Sequence, residues 1–275
     1  MTDSMTVFRK LHDSGCFVLP NPWDRGSAIL LARLGFKALA TSSAGFGFSR
    51  GVPDTVGALP LEVVLDHMRD IVAATPLPVN ADFQEGFARD AAEVEENVRR
   101  CVDTGVAGLS IEDATGNDAQ PLFERSHAIE RMQAARAAID ASGRPVVLTG
   151  RCESWLVGDE TPLDTALGRL VAYAEAGADC LYAPGVSRAE DITAIVDAVR
   201  PKPVNVLVGS GTMGLTVPQL AELGVRRISV GSALSRVAWG AFLRASKGIL
   251  EEGRFDLLDG AASFAELNDT FAKRR

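Results

Sequence analysis

The chain has 275 residues, with 28 Lys and Arg against 36 Asp and Glu, a net charge of −8 and 47% hydrophobic residues. That is apolar material for a large core, which excludes a disordered chain, and the acidic balance without basic runs argues against nucleic-acid and anionic-membrane partners. No apolar run approaches the roughly 20 residues of a membrane span. The first residues (MTDSMTVFRKLHDSG) read as a short amphipathic helix without the apolar centre of a signal peptide.

Eight short apolar runs follow, separated by segments of helical periodicity. In chain order the strands and helices read 17–20 and 24–34, 38–41 and 60–73, 78–82 and 91–103, 107–112 and 126–141. The pattern continues with 145–151 and 162–176, 180–183 and 189–199, 203–208 and 217–223, and a last strand at 227–231. Several units close alike (LARLGFKALA, CVDTGVAGLSIE, YAEAGADCLYA, LAELGVRRISV), with a Gly past the helix end for the left-handed C′ residue. Eight right-handed βαβ units in about 220 residues predict an α/β fold, a (β/α)8 TIM barrel, over a doubly wound sheet. Two further helices, about 235–251 and 261–273, exceed what one closing helix needs and would cover the barrel or pack on a neighbouring subunit. With no internal linker, residues 1–275 read as one domain, with the barrel core over 15–240 and C-terminal helices over 241–275.

In such a barrel the active site lies at the C-terminal ends of the strands. The runs end in Asn21-Pro22-Trp23-Asp24, Thr41-Ser42-Ser43-Ala44-Gly45, Asn80-Ala81-Asp82, Glu112-Asp113 and Arg151-Cys152-Glu153, and the seventh carries Asn205 between two valines. Asp82 and Glu112 end neighbouring strands, and Asp54 lies in the loop after the second (GVPDTVG). Three carboxylates converging there repel one another unless a hard cation such as Mg²⁺ lies between them. The plainer alternative makes Asp54 a turn residue, Glu112 or Asp113 a helix N-cap and Asp82 a solvated loop end. Ser43-Ala44-Gly45 opens a Gly-rich stretch (GFGFSRG), either a backbone nest for an anion or a flexible turn. Arg151 ends an apolar run and needs a partner, either a substrate carboxylate held bidentately or Glu153 or Glu112. Asn205 likewise needs backbone or ligand partners. Trp23 either walls the pocket or packs over the first strand.

Cys16, Cys101, Cys152 and Cys180 are widely spaced with no CxxC, as expected for reduced thiols of a cytoplasmic protein. Cys152 alternates away from the face of Arg151 and is read as packing. His12, His67 and His127 sit in amphipathic helical stretches, which leaves little for a zinc site or a Ser-His-Asp triad. The chemistry falls to carboxylates and an oxygen-loving metal.

The segments NPWDRGSA, TSSAG, GVPD, VNADFQEGF, GLSIED, TGRCES, LYAPG, PVNVLV and RRISVGSAL, in this order over about residues 15–240, resemble the isocitrate lyase/phosphoenolpyruvate mutase superfamily. The resemblance is greatest to its short phosphoenolpyruvate phosphonomutase-like branch. It implies a barrel whose eighth helix is exchanged between subunits of a homodimer or homotetramer. It also implies Mg²⁺ (or Mn²⁺) and a small 2-oxo or 2-hydroxy (di)carboxylate. Asp82 would be the direct metal ligand, with Asp54 and Glu112 holding metal waters. Ser43, Ala44 and Gly45 would receive the substrate carboxylate, with Trp23 among the substrate contacts. Arg151 would bind the oxo or carboxylate oxygens and Asn205 would sit over the reacting end, so that Arg151, Asn205 and Glu112 carry catalysis.

The implied reaction breaks or makes the C–C bond next to a pyruvate-like unit through a metal-stabilised enolate. Two positions depart from the family. Asn80 stands where many relatives carry a first carboxylate, two residues before Asp82. Segment 114–123 (ATGNDAQPLF) has no Cys, Lys or His where the lyases carry a Lys-Lys-Cys-Gly-His lid, which argues against a true isocitrate lyase. Two other readings stay open: a phosphonopyruvate mutase or hydrolase, for which Arg50 and Arg125 are the nearby cations, and a 2-oxo-acid binding protein without turnover.

Overall fold

The computed structural model describes residues 3–272; the first two residues of the expected N-terminal helix and the last of the expected helix over 261–273 lie outside them. The chain opens with α1 (Ser4–Leu11), β1 (Phe17–Leu19), α2 (Arg25–Arg33), β2 (Leu39–Ala40), α3 (Ser43–Ser49), α4 (Leu61–Ala74) and β3 (Val79–Asp82). It continues through α5 (Ala91–Val102), β4 (Gly108–Glu112), α6 (Arg125–Ala141), β5 (Val147–Arg151), α7 (Pro162–Glu175) and β6 (Cys180–Tyr182). Then come α8 (Ala189–Val199), β7 (Val204–Leu207), α9 (Val217–Glu222), β8 (Arg227–Ser229), α10 (Ala233–Glu252) and α11 (Phe264–Ala272).

The eight strands pair parallel in the order β1-β8-β7-β6-β5-β4-β3-β2, so the sheet curls into a near-closed barrel. At the seam the Ala40 N–H donates to the Pro20 carbonyl at 3.0 Å. Asn21 staples the same seam: its carboxamide donates to the Thr41 carbonyl at 2.8 Å and accepts from the Val230 N–H at 3.1 Å.

Alternation along each strand sends one set of side chains out against the helices and the other towards the axis. The outward set is apolar and buried, as at Leu109, Ile111, Leu148, Leu181, Val206 and Ile228. Each such side chain stabilises the fold by roughly 1.5–3 kcal/mol. The inward set is less usual. Barrel axes are commonly filled by branched apolar residues, whereas Asn80, Ser110, Thr149, Asn205 and Arg227 are all buried here. Local chemistry fixes the helices. Asp24 caps α2 in a capping box with Ser27, and the expected stop glycines Gly35, Gly105, Gly177 and Gly224 all have positive φ. At Gly177 a Cβ would lie 2.6 Å from Arg136 Cγ, so close approach as well as φ requires glycine.

The stretch after β2 is neither an open nest nor a flexible turn. It forms the short helix α3, capped by the Ser42 hydroxyl, which accepts from the Gly45 N–H at 3.1 Å. A Cβ at Gly45 would sit 3.3 Å from Trp23 Cβ, so this glycine serves close packing. At the other end of the chain, α10 buries only Ser235 and Gly248 of its 20 residues, and Val237, Phe242, Leu243 and Leu250 are exposed. Among the described residues no helix is long and apolar enough to cross a membrane.

Candidate active site

A cavity of about 230 Å³ opens at the C-terminal ends of the strands, with Ser43, Ala44, Asp54, Asp82, Arg151 and Asn205 in its lining. Six of the expected site residues therefore share one space, contributed by α3 and the loop after it, β3, β5 and β7.

The centre of one wall is Arg151. Its Nη1 lies 3.0 Å from Asp82 Oδ1 and 3.0 Å from Glu112 Oε2, and its Nε donates to Glu153. The guanidinium also stands 5.3 Å from the centre of the Tyr182 ring. Both partners read from the sequence, Glu112 and Glu153, are present, and Asp82 joins them. Burial opposes the charge on Arg151, but Glu112, Glu153 and Asp82 together hold it firmly protonated. Burial pushes the carboxyls of Glu112 and Glu153 up, against the pull of Arg151. Asp54 is raised by burial and then by the charge of Asp82, with the Ser43 hydroxyl and Arg151 opposing. Three carboxylates thus contact a single guanidinium, and Asp54 feels its charge without an ion pair to it.

Asp82 is no solvated loop end. Its Oδ2 accepts from the Ser43 N–H at 2.9 Å, and its own N–H donates to Thr41 Oγ1 at 2.9 Å. Two of the three expected carboxylate-binding amides, Ser43 and Gly45, are therefore already engaged, by Asp82 and Ser42. Asp113 is no helix cap either, since α6 is capped by Glu124. Asp113 accepts from Tyr173 Oη (2.6 Å), the Glu153 N–H (2.8 Å) and Arg169 (3.2 Å), which ties the exits of β4 and β5 to α7. Among the described residues no group of three or more His, Cys, Asp or Glu stands ready to hold a metal ion. Arg151 instead bridges Asp82 and Glu112.

Another wall is built from Asn205, Ser229 and Arg227. Asn205 Nδ2 donates to Ser229 Oγ at 3.0 Å, and its Oδ1 accepts from Arg227 Nε at 2.9 Å. Its partners are side chains of β8, not the backbone or ligand groups expected. Arg227, Ser229 and Tyr182 line the cavity and were not singled out by the sequence reading. Their signal was alternation. In VRRISV only one of two adjacent arginines can face out, and Arg226 does so, donating to the Gly15 carbonyl at 3.1 Å. Glu112 lies behind Arg151, against Arg131 and Tyr173, and Trp23 packs beside Gly45, both outside the cavity lining.

Cys101, Cys152 and Cys180 are fully buried and Cys16 is half-buried, all as free thiols. Burial pushes the Cys152 thiol far up, which suits packing and not a nucleophile. The segment over 114–123 folds back on itself through an antiparallel Ala114–Leu122 bridge. The Thr115 N–H donates to the Pro121 carbonyl at 2.9 Å, and the Phe123 N–H to the Asp113 carbonyl at 2.8 Å.

Residues 8–250 match the phosphoenolpyruvate phosphomutase family. The 2-methylisocitrate lyase of Escherichia coli K12 is 30% identical over 224 residues, 77% of this chain and 73% of that one. The oxaloacetate decarboxylase of Rhodopseudomonas palustris BisB5 is 32% identical over 226 residues, 80% and 74% of the two chains. A crystal structure from Burkholderia cenocepacia J2315, described only as a lyase/mutase, superposes with a TM-score of 0.93 at 46% identity, over 98% of this chain and 96% of that one. A phosphonopyruvate hydrolase in complex with oxalate and Mg²⁺ gives 0.85 at 25% identity, over 98% and 95%. The two solved structures share the barrel described above. With the family match running through all eight strands and the polar rim, the chain belongs to the phosphoenolpyruvate mutase/isocitrate lyase superfamily.

Proposed function

We propose that the protein is a Mg²⁺-dependent enzyme that breaks or makes the C–C bond beside the pyruvate-like unit of a small 2-oxo or 2-hydroxy dicarboxylate. The observation that carries this reading is the charge imbalance at the rim: Asp54, Asp82, Glu112 and Glu153 gather around Arg151 alone, and burial raises three of the four. An all-oxygen donor set short of positive charge fits a hard divalent cation. Asp82 would hold the metal directly, with Asp54 and Glu112 on its waters. When bound, the metal supplies Lewis-acid polarisation of the oxo and carboxylate oxygens.

The chain's own side chains supply the rest. Arg151, whose Nη1 and Nε are held by Asp82, Glu112 and Glu153, turns its remaining Nη2 to the carboxylate or oxo oxygens. In the first turn of α3, Ser43 to Gly45, the Ala44 N–H and the Ser43 hydroxyl are the donors for the substrate carboxylate, since the Ser43 and Gly45 amides are engaged within the protein, and Trp23 packs behind this turn. Asn205 presents a carboxamide to the reacting end, where negative charge develops. Burial pushes the Tyr182 hydroxyl up to about 12, so it stays protonated at neutral pH and can return a proton to an enolate carbon. A phosphonate substrate would ask for further cations at the rim. Neither Arg50 nor Arg125 lines the cavity, and Arg125 donates to the Gly168 carbonyl at 2.8 Å. The exposed apolar side chains of α10 support exchange of this eighth helix between subunits of a homodimer or homotetramer, to be checked by light scattering of the purified protein.

The test is turnover of oxaloacetate, methylisocitrate and phosphonopyruvate with and without Mg²⁺. Metal-dependent C–C cleavage of a dicarboxylate is expected. Phosphate release from phosphonopyruvate alone would favour P–C chemistry, and oxalate binding with no turnover of any compound would favour a binding protein.

A further inference from the structure

The inward face of β8 carries a feature that the proposed chemistry leaves unused. Arg227 is buried at the floor of the cavity, and none of its contacts is a carboxylate. Nε donates to Asn205 Oδ1 at 2.9 Å, Nη2 to Thr149 Oγ1 at 3.0 Å on β5, and Nη1 lies 3.3 Å from His12 Nε2. His12 Nδ1 is 2.8 Å from the Phe8 carbonyl, so Nδ1 carries the proton and Nε2 is a neutral acceptor. Burial and then Arg227 push this imidazole down to about 3, so it stays uncharged. Asp179, on the same side of the barrel, is held by Arg9 and Arg136, each at 3.1 Å. Among the described residues Arg227 therefore has no ion pair.

A buried charge without a counter-charge is unfavourable by several kcal/mol, so stability alone gives no reason for it. Its effect on Asn205 does. A guanidinium has only donors, so the amide oxygen must face Arg227 and Nδ2 must face the other way. One Nδ2 hydrogen goes to Ser229 Oγ, and the second is left for the cavity. Without Arg227 the amide could turn over and present its oxygen to the substrate, which would repel a developing negative charge.

We propose that Arg227 is a positioning residue: it fixes the Asn205 carboxamide with Nδ2 as a preorganised donor to the oxygen or carbon where charge develops in the reaction. The inference rests on the 2-oxo-acid reading given above. Lysine cannot substitute, because a point charge lacks the fork that holds Asn205, Thr149 and His12 together.

The experiment is a double-mutant cycle on the full-length enzyme with Mg²⁺ and whichever dicarboxylate the wild type turns over. Arg227→Lys should lower kcat by about 30-fold or more while KM stays within about threefold, the signature of an interaction made in the transition state. Asn205→Ala should lower kcat comparably, and adding Arg227→Lys to it should change kcat by less than about twofold. Unchanged kcat in Arg227→Lys overturns the proposal, and so do losses that multiply in full in the double variant. If Arg227→Lys does not fold, Thr149→Val removes one anchor while leaving the arginine. A kcat loss of about three- to fivefold that vanishes in the Asn205→Ala background supports the proposal, and one that persists there, or no loss, sinks it. A wild-type protein that neither turns over a dicarboxylate nor binds oxalate with Mg²⁺ overturns the functional reading and this inference together. An active wild type with an equally active Arg227→Lys overturns this inference alone.

Discussion

Two arginines line the cavity, Arg151 and Arg227, and they are satisfied in opposite ways. Arg151 has three carboxylates within ion-pair reach, and Arg227 has a carboxamide, a hydroxyl and a neutral imidazole. The first wall is short of positive charge, the second of negative charge. Neither deficit is relieved inside the protein, and the cavity lies between them. A metal ion beside Asp82 and an anion leaning towards Asn205, the ligand pair proposed above, would relieve both at once. An anion approaching a chain of net charge −8 would then meet a sign reversed locally, not globally.

The strongest way to break this contrast is to remove the cation of the anionic wall. Arg151→Met leaves Asp82, Glu112 and Glu153 without a counter-charge and should lower stability in metal-free buffer by about 3–5 kcal/mol in urea unfolding. Arg151→Lys should lose less, and Mg²⁺ should restore part of the loss in the Met variant by binding the freed carboxylates. A Met variant as stable as the wild type would mean that the three carboxylates are not held by Arg151. Next in size, Asp82→Ala should weaken Mg²⁺-dependent oxalate binding by more than about 100-fold in calorimetry. Equal binding would move the metal site away from β3.

Those variants test residues that were legible in the sequence, and there is a physical reason why they were. Strand ends are local features, set by apolar runs and stop glycines, and neighbours in chain order are neighbours in a singly wound barrel. Asp82, Glu112 and Arg151 could therefore be placed at one rim from spacing alone. What the sequence hid depends on register and packing. The glycines of GFGFSRG left a nest or a flexible turn open, yet the stretch forms α3, capped by Ser42 and with Gly45 packed closely against Trp23. Arg227 lay in plain view in RRISV, but which arginine faces the axis is decided by the pairing of β8 with β1 and β7. Asp113 suggested a cap until Tyr173 and Arg169, 60 and 56 residues further along in α7, met it from behind.

That support behind the anionic wall is itself testable, with a smaller effect. Tyr173→Phe removes the 2.6 Å hydrogen bond to buried Asp113, which keeps Arg169 and the Glu153 N–H. A loss of about 1–2 kcal/mol in urea unfolding is expected, with kcat within about twofold of wild type if Asp113 holds the scaffold and not the substrate. A large kcat loss without a stability loss would put Asp113 in the chemistry and add a second carboxylate to the β4 exit of the anionic wall.

The smallest effect concerns how α3, which carries Ser43 to Asp82, is held on the barrel. His67 in α4 is buried and stacks on Phe46 of α3, with ring centres 3.7 Å apart, and its Nε2 has no partner among the described residues. Burial pushes this imidazole down to about 4, with Asp70 and Asp24 opposing. The folded state therefore keeps it neutral between about 4 and its ordinary value of 6.5, while the unfolded chain takes up a proton there. The unfolded state binds more protons in that window, so the stability His67 contributes is whole above about 6.5 and is lost as the pH falls towards 4. His67→Phe keeps the stacking and removes the proton. Between pH 6 and pH 5 the wild type should lose about 1 kcal/mol more than the variant, read from urea midpoints at the two pH values. His12 falls outside this difference, because its own proton uptake is common to both proteins. Equal losses would mean that His67 titrates as an exposed imidazole. The Phe46–His67 contact would then be open in solution, and α3 would owe its place to Asp82 and Trp23 alone.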